Sequence, residues 1–256
     1  MSDYAVFPDQ RQAAIRERLQ KFGRVVCIHL AEEMGVSEHT IRRDLQELAN
    51  QGYCKKVYGG AVSIAPGGQD FERRLENNVD EKSQLAKVAS PIFRNNTCIF
   101  IDAGTTNLCL AQAIPLNVKL TVVTHSPAIA VEVLKHPLCE VVLLGGKMSK
   151  QLGAATGVSV IKQLEEIYFD LCVLGVCGFD IDEGVTAFDY EDAEMKKILV
   201  KQSSEVLIAL TAEKISSVAN FKVTPLQNVS YLVFSGEISD SQQHALDASG
   251  VKVIQG

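Results

Sequence analysis

Val36-Ser37-Glu38-His39-Thr40-Ile41-Arg42-Arg43-Asp44-Leu45-Gln46-Glu47-Leu48 reads as one amphipathic helix with a well-marked start. The Ser37 hydroxyl can accept from a free N–H of the first turn, and Glu38 suits the positive end of the helix dipole. At about 100° per residue, Ile41, Leu45 and Leu48 fall on one stripe, while His39, Arg42, Arg43 and Gln46 cluster on the opposite side. One side packs, and the other is left to meet something outside the domain.

The flanking sequence supplies the rest of a small domain. Asp9 to Phe22 carries Ile15, Leu19 and Phe22 at helical spacing before Gly23, and a second helix runs from about Ile28 to Met34 before Gly35, each glycine offering a left-handed stop. Tyr53 to Val62 holds Lys55, Lys56 and the turn pair Gly59-Gly60 with no acidic residue, as a basic β-hairpin would. Helix, turn, helix and basic hairpin are the layout of a winged helix-turn-helix over residues 1–62, whose expected partner is double-stranded DNA. The third helix is expected to enter a major groove with Ser37, His39, Thr40, Arg42, Arg43 and Gln46 near base edges or phosphates, with Lys55 and Lys56 holding the backbone from the wing.

Charge agrees once it is divided. The 256 residues carry a net −6, yet up to Val62 nine Lys/Arg face eight Asp/Glu, so the acid lies in the remainder. Phosphate binding needs a local basic face, because fields are screened beyond about 8 Å at physiological salt. With 46% hydrophobic and 22% charged residues, the composition is that of a globular protein. No apolar run reaches the ~18 residues of a membrane span, and Met1-Ser2-Asp3-Tyr4 lacks a signal-peptide pattern, so a cytoplasmic protein with no membrane association is expected. Seven cysteines form no CxxC pair and several sit in apolar runs, which favours small buried side chains over disulfides or a metal site.

Residues 63–80, with Pro66-Gly67-Gly68 and then mixed charge, read as a linker. Beyond it, apolar runs at 97–101, 120–123, 141–144, 171–176, 206–210, 231–234 and 251–254 alternate with helical stretches around Leu85, Leu108, Val131, Ile161, Met195 and Ala245. Short, fully apolar runs suit strands covered on both faces, so residues 81–256 are expected to form an α/β domain with a mostly parallel sheet.

Ligands of such sheets gather at the carboxyl ends of strands. There the sequence offers Asp102-Ala103-Gly104-Thr105-Thr106, where Gly104 allows close backbone approach and the two hydroxyls open a helix. The same residues equally suit an ordinary Thr-capped turn. Thr124-His125 and Gly145-Gly146 follow two further runs, and a structural histidine and a plain turn are the alternatives. Gly178 to Thr186 concentrates carboxylates, including Glu183 before Thr186, and Lys214 follows the strand ending at Leu210. Carboxylates suit sugar hydroxyls and a lysine suits a phosphate; a solvated loop and a surface lysine are the competing reading.

Val36-Ser37-x-x-Thr40-Ile41-Arg42-Arg43-Asp44-Leu45 followed by Gly59-Gly60-Ala61 resembles the signature of the DeoR-type family of bacterial transcription repressors. Asp102–Thr106, Thr121–Thr124, Leu144–Gly146 and Glu183–Thr186 are similar, in the same order, to that family's sensor motifs. The resemblance implies a sensor domain with the fold of ribose-5-phosphate isomerase, a phosphorylated sugar as effector and release from operator DNA on binding it. The effector set it implies is Asp102, Gly104, Thr105, Thr106, Thr124, His125, Gly145, Gly146, Glu183, Thr186 and Lys214. This chain departs from the family at His125 (usually Asn), Thr211 and Ser235 (commonly Asp), and Pro91 interrupts the first sensor helix.

Two rival readings are an isomerase-like enzyme using Asp180, Asp182, Glu183 and Lys214, and an interaction module whose winged helix binds protein and whose second domain only dimerises. Fold likeness does not transfer activity, and an isomerase has little use for a DNA-reading helix. The expectation is a regulator without catalytic residues, cofactor or metal, working as a homo-oligomer, dimer or tetramer, because one module covers few base pairs.

Overall fold

The computed structural model describes residues 7–65, 67, 70–236, 238 and 240–256; Met1 to Tyr4 and the linker residues Pro66 and Gly68 lie outside that set. The chain begins with α1 (Pro8–Phe22), β1 (Arg24–Val26), α2 (Cys27–Met34), α3 (Glu38–Asn50), β2 (Cys54–Val57) and β3 (Gly60–Ile64). Gly23 and Gly35 end their helices in the left-handed conformation, and Ser37 caps α3 by accepting from Thr40 N at 3.2 Å. Ile41, Leu45 and Leu48 are fully buried against Ile15, Leu19, Leu30 and Met34. Asp44 is also buried, where it pairs with Arg11 and accepts from Gln12, pinning α1 to α3. β3 runs antiparallel to β1 and to β2, completing the winged helix-turn-helix.

The chain continues through α4 (Phe71–Leu75), α5 (Val79–Ala89), β4 (Thr97–Ile101), α6 (Thr105–Gln112), β5 (Leu120–Thr124), α7 (Pro127–Val133) and β6 (Glu140–Leu143). A hairpin of β7 (Lys147–Ser149) and β8 (Ala154–Thr156) leads to α8 (Val158–Glu165), β9 (Phe169–Leu174), β10 (Gly178–Asp180) and β11 (Gly184–Ala187). Last come α9 (Tyr190–Lys201), β12 (Ser203–Leu210), β13 (Ser217–Val218), β14 (Phe221–Thr224), β15 (Tyr231–Phe234), α10 (Asp240–Ser249) and β16 (Lys252–Gln255).

Seven strands form one sheet in the order β16-β15-β12-β9-β4-β5-β6, every pair parallel. These are the seven apolar runs of the sequence. Helices cover both faces, with Leu85, Leu110 and Ile129 packing on one and Val160, Leu164, Met195 and Leu199 on the other. β6 is the exception, because as an edge strand it leaves Val142 and Leu143 exposed. The α/β expectation therefore holds, and the sequence pattern omitted the small antiparallel sheet β10-β11-β14 and the two-residue strand β13.

Within 63–80, Ser63 and Ile64 close the wing, and α4 docks on the sensor domain through buried Phe71. Pro91 sits in a 3-10 turn directly after α5, which ends at Ala89.

Candidate functional site

The strand order decides where a ligand can bind. From β4 the chain winds outward through β5 to β6, and then returns to the other side of β4 as β9, β12, β15 and β16. The crevice between the carboxyl ends of β4 and β9 is the point where an open parallel sheet offers a ligand site. A cleft lies there, formed by Gly104, Thr105 and Thr106 after β4, Gly175 to Cys177 after β9, and Lys214 after β12. Arg74, Asn77 and Lys82 close it from the 70–82 segment, and Gln151, Phe188, Asp189 and Glu213 complete its rim.

Four cations line the cleft: Arg74, Lys82 and Lys214 at its walls and Lys196 at its floor. Lys82 Nζ donates to the Arg74 and Asn77 carbonyls and so fixes the turn that carries Arg74. Arg74 donates to Gln151 O at 2.8 Å, and Lys214 Nζ to Val176 O at 2.8 Å. Burial, with Arg74 and Lys82 adding like charge, lowers the Lys214 pKa to about 8, and burial also lowers those of Arg74 and Lys82. Among the described residues, the buried side-chain polar atoms with no hydrogen-bond partner are Arg74 Nε and Thr106 Oγ1, and both residues line the inner end of the cleft. Thr106 is 4% exposed. Leaving a buried donor unsatisfied costs about 1–3 kcal/mol, and an anion at the N-terminus of α6 would satisfy both while meeting free helix N–H groups. Gly104 begins that turn at φ 146°, ψ 149°, a backbone that residues with a Cβ rarely adopt.

Of the expected effector set, Gly104, Thr105, Thr106 and Lys214 line this cleft. Asp102, Thr124 and His125 are fully buried beneath it and partnered internally. Asp102 accepts from Ala103 N and Gly175 N, Thr124 donates to Ile101 O, and His125 Nδ1 donates to Ala155 O while its Nε2 lies 2.9 Å from Asp102 Oδ1. Lys196 joins them, 2.5 Å from Asp192 and 3.6 Å from Asp102. Burial opposes these charges, yet the two carboxylates outweigh it and raise the Lys196 pKa, while Lys196 and His125 hold Asp102 below its ordinary value. The group is a charged floor whose Lys196 and Asp192 reach the cleft lining, while Asp102, Thr124 and His125 lie beneath it. Gly145 and Gly146 lie beyond the β6 edge strand, away from the cleft, where Ser159 and Gln163 donate to Gly145 O. Glu183 pairs with Lys222, and Thr186 Oγ1 bridges Gly178 O and Ala219 N.

In the winged helix, His39, Arg42, Arg43 and Gln46 are exposed on α3, Ser37 is exposed at its N-cap, and Thr40 is half-buried in the first turn. Arg42 and Arg43 make i,i+4 pairs with Glu38 and Glu47. Lys56 donates to Gln46 from the wing, whereas Lys55 donates to Ala219 O and Asn220 O of the sensor domain.

Residues 11–66 match the DeoR-like helix-turn-helix domain, and residues 77–236 match the DeoR C terminal sensor domain. The chain belongs to the DeoR family. It is 30% identical to the HTH-type transcriptional regulator GolR of Listeria innocua over 97% of this chain and 98% of that protein. It is 28% identical to the glycerol-3-phosphate regulon repressor of Escherichia coli over 80% of this chain and 82% of the other. Ribose 5 phosphate isomerase A from Neisseria gonorrhoeae is similar at 16% identity and a TM-score of 0.40 over 53% of each chain, a likeness that says nothing of activity. As a DeoR-family member the chain is a DNA-binding transcription regulator with a sensor domain, not an enzyme. No helix of the described residues is long and apolar enough to cross a membrane.

Proposed function

We propose that this regulator represses a carbohydrate-metabolism operon and is released from its operator by a small phosphorylated sugar or polyol. The observation that carries the reading is the inner end of the cleft, where Arg74 Nε and Thr106 Oγ1 lack partners beside Lys214 at the start of α6. A phosphate supplies the acceptors these donors lack, and the carboxylates of Asp189 and Glu213 on the rim accept from hydroxyls of the attached carbon chain.

The operator is read by Ser37, His39, Thr40, Arg42, Arg43 and Gln46 of α3, with Lys55 and Lys56 on phosphates. Two half-sites require at least a dimer, built by the sensor domain. Residues 1–62, 63–80 and 81–256 serve as reader, connector and sensor, and the connector lends Arg74 to the pocket. Thermal shift of the full chain tests the reading with glycerol 3-phosphate and sugar phosphates against the same compounds without phosphate. A ligand of the folded state raises the midpoint; equal behaviour of phosphorylated and unphosphorylated compounds would refute it.

A further inference from the structure

We infer that residues 211–220 couple the sensor cleft to the wing, and that an anion in the cleft holds the wing docked on the sensor domain, away from DNA. The inference rests on the reading that the cleft takes an anion. At one end of this stretch Lys214 lines the cleft. Three residues on, β13 pairs in parallel with β3, Ser217 beside Ser63 and Val218 beside Ile64, so the sensor domain adds a strand to the wing sheet. Ala65 N donates to Val218 O at 3.0 Å, and the Ala219 and Asn220 carbonyls hold the Lys55 ammonium. Arg24, at the start of β1, pairs with buried Asp180 and with Asp182 at 2.6 Å each.

The two segments joined at β3 and β13 meet again at the cleft. Arg74 follows the β3 side of the junction and Lys214 precedes the β13 side, and both face the same inner cavity. An anion bridging them therefore closes a second clasp across one junction, and it binds the docked arrangement more tightly than any arrangement in which the segments separate. A ligand shifts an equilibrium only by such a difference. Docking also fixes Lys55 on the sensor domain, where two of its three N–H groups go to the Ala219 and Asn220 carbonyls instead of to DNA phosphates.

Gly23 supplies a way to break the junction alone. A Cβ there would lie 2.5 Å from Ser216 Cβ and 2.6 Å from Ser216 O. Asparagine tolerates the left-handed conformation that Gly23 uses to end α1 (φ 70°), so Gly23→Asn keeps the helix stop and obstructs docking. Arg24→Gln removes the ion pairs by a separate route.

The test uses the full chain, inorganic phosphate as probe, potassium chloride at matched ionic strength as control, and a duplex selected from a random pool by the wild type. Phosphate is expected to slow amide exchange at residues 63–65 and 217–219 and to weaken wild-type DNA binding about tenfold, within the usual range of allosteric couplings. Gly23→Asn and Arg24→Gln still bind phosphate by calorimetry, weakened by no more than that tenfold coupling because they lose the docked arrangement it favours, and in its presence their DNA affinity changes by less than about twofold. Both variants releasing DNA as the wild type does would overturn the coupling, as would phosphate binding without change at 63–65. Failure of phosphate to bind the wild type at all removes the anion reading and this inference together, an outcome calorimetry separates from the other two.

Discussion

Raising the pH from 7 to 9 should weaken phosphate-ester binding by a predictable factor, because the cleft holds a lysine on the edge of deprotonation. Burial lowers the Lys214 pKa to about 8, with Arg74 and Lys82 contributing like charge. A bound dianion favours the ammonium, so the complex retains its proton where the free protein loses it. The affinity is therefore full below pH 8 and falls as pH rises through that value. With the bound ammonium protonated across this window, titration of the free protein through about pH 8 makes the loss about tenfold at pH 9, and binding at pH 8 takes up about half a proton. A phosphate ester ionises for the second time near pH 6 and stays dianionic throughout this window.

Calorimetry in buffers of different ionisation enthalpy reads both the constant and the proton. Lys214→Arg, charged at every pH used, should abolish the slope, and Lys214→Met should abolish the slope and weaken binding at pH 7. Cys177 lines the same cleft, so Cys177→Ser must keep the wild-type slope if Lys214 is its source. A wild-type affinity that moves less than twofold between pH 7 and 9, or a slope that survives in Lys214→Met, would show that the phosphate does not sit beside this ammonium.

Other outcomes test the remaining parts. Replacing Arg42 and Arg43 by Ala should cost about 1–3 kcal/mol of specific DNA binding for each bidentate pairing with a base that is removed in gel shifts at fixed salt, with an unchanged melting temperature because both side chains lie outside the core. Lys56→Ala should weaken binding to all sequences alike and lower the slope of log K against log salt by about one unit. Arg11→Ala strips buried Asp44 of its charged partner, and denaturant unfolding should show a loss of about 3–5 kcal/mol. Gly104→Val should abolish phosphate binding in calorimetry and leave DNA binding intact; its Cβ would meet nothing closer than 4.0 Å, so the φ of 146° does the damage by displacing the start of α6.

Local rules were enough for the reader domain. Ser37 capping, the Ile41/Leu45/Leu48 stripe and the basic hairpin each depend on residues a few positions apart, and each appears in the structure as the pattern requires. The seven strands were legible for the same reason, since burial on both faces leaves continuous apolar runs. Strand order was not legible, because it is set by which neighbour each strand pairs with. β13 was missed because two residues carry no periodicity.

Strand order also explains which candidate residues lie outside the cleft. The strand-end rule marks polar residues after every parallel strand, and it drew in Thr124, His125, Gly145 and Gly146 after β5 and β6. The chain winds to the opposite side after β6, so the crevice opens between β4 and β9 and takes Gly175, Val176 and Cys177, which look in sequence like the end of an apolar run. Asp102 stands at that crevice, yet it is consumed by two backbone N–H groups, His125 and Lys196. It orders the floor on which the α6 turn rests. Arg74 and Lys82 come from a stretch whose composition reads as a connector, and their place over the cleft follows from α4 docking through Phe71. The segment that leads out of the wing also roofs the cleft, so Arg74→Ala should lower phosphate affinity and with it the effect on DNA binding, whereas Gly23→Asn should remove the effect on DNA and weaken phosphate binding by no more than the coupling factor of about tenfold.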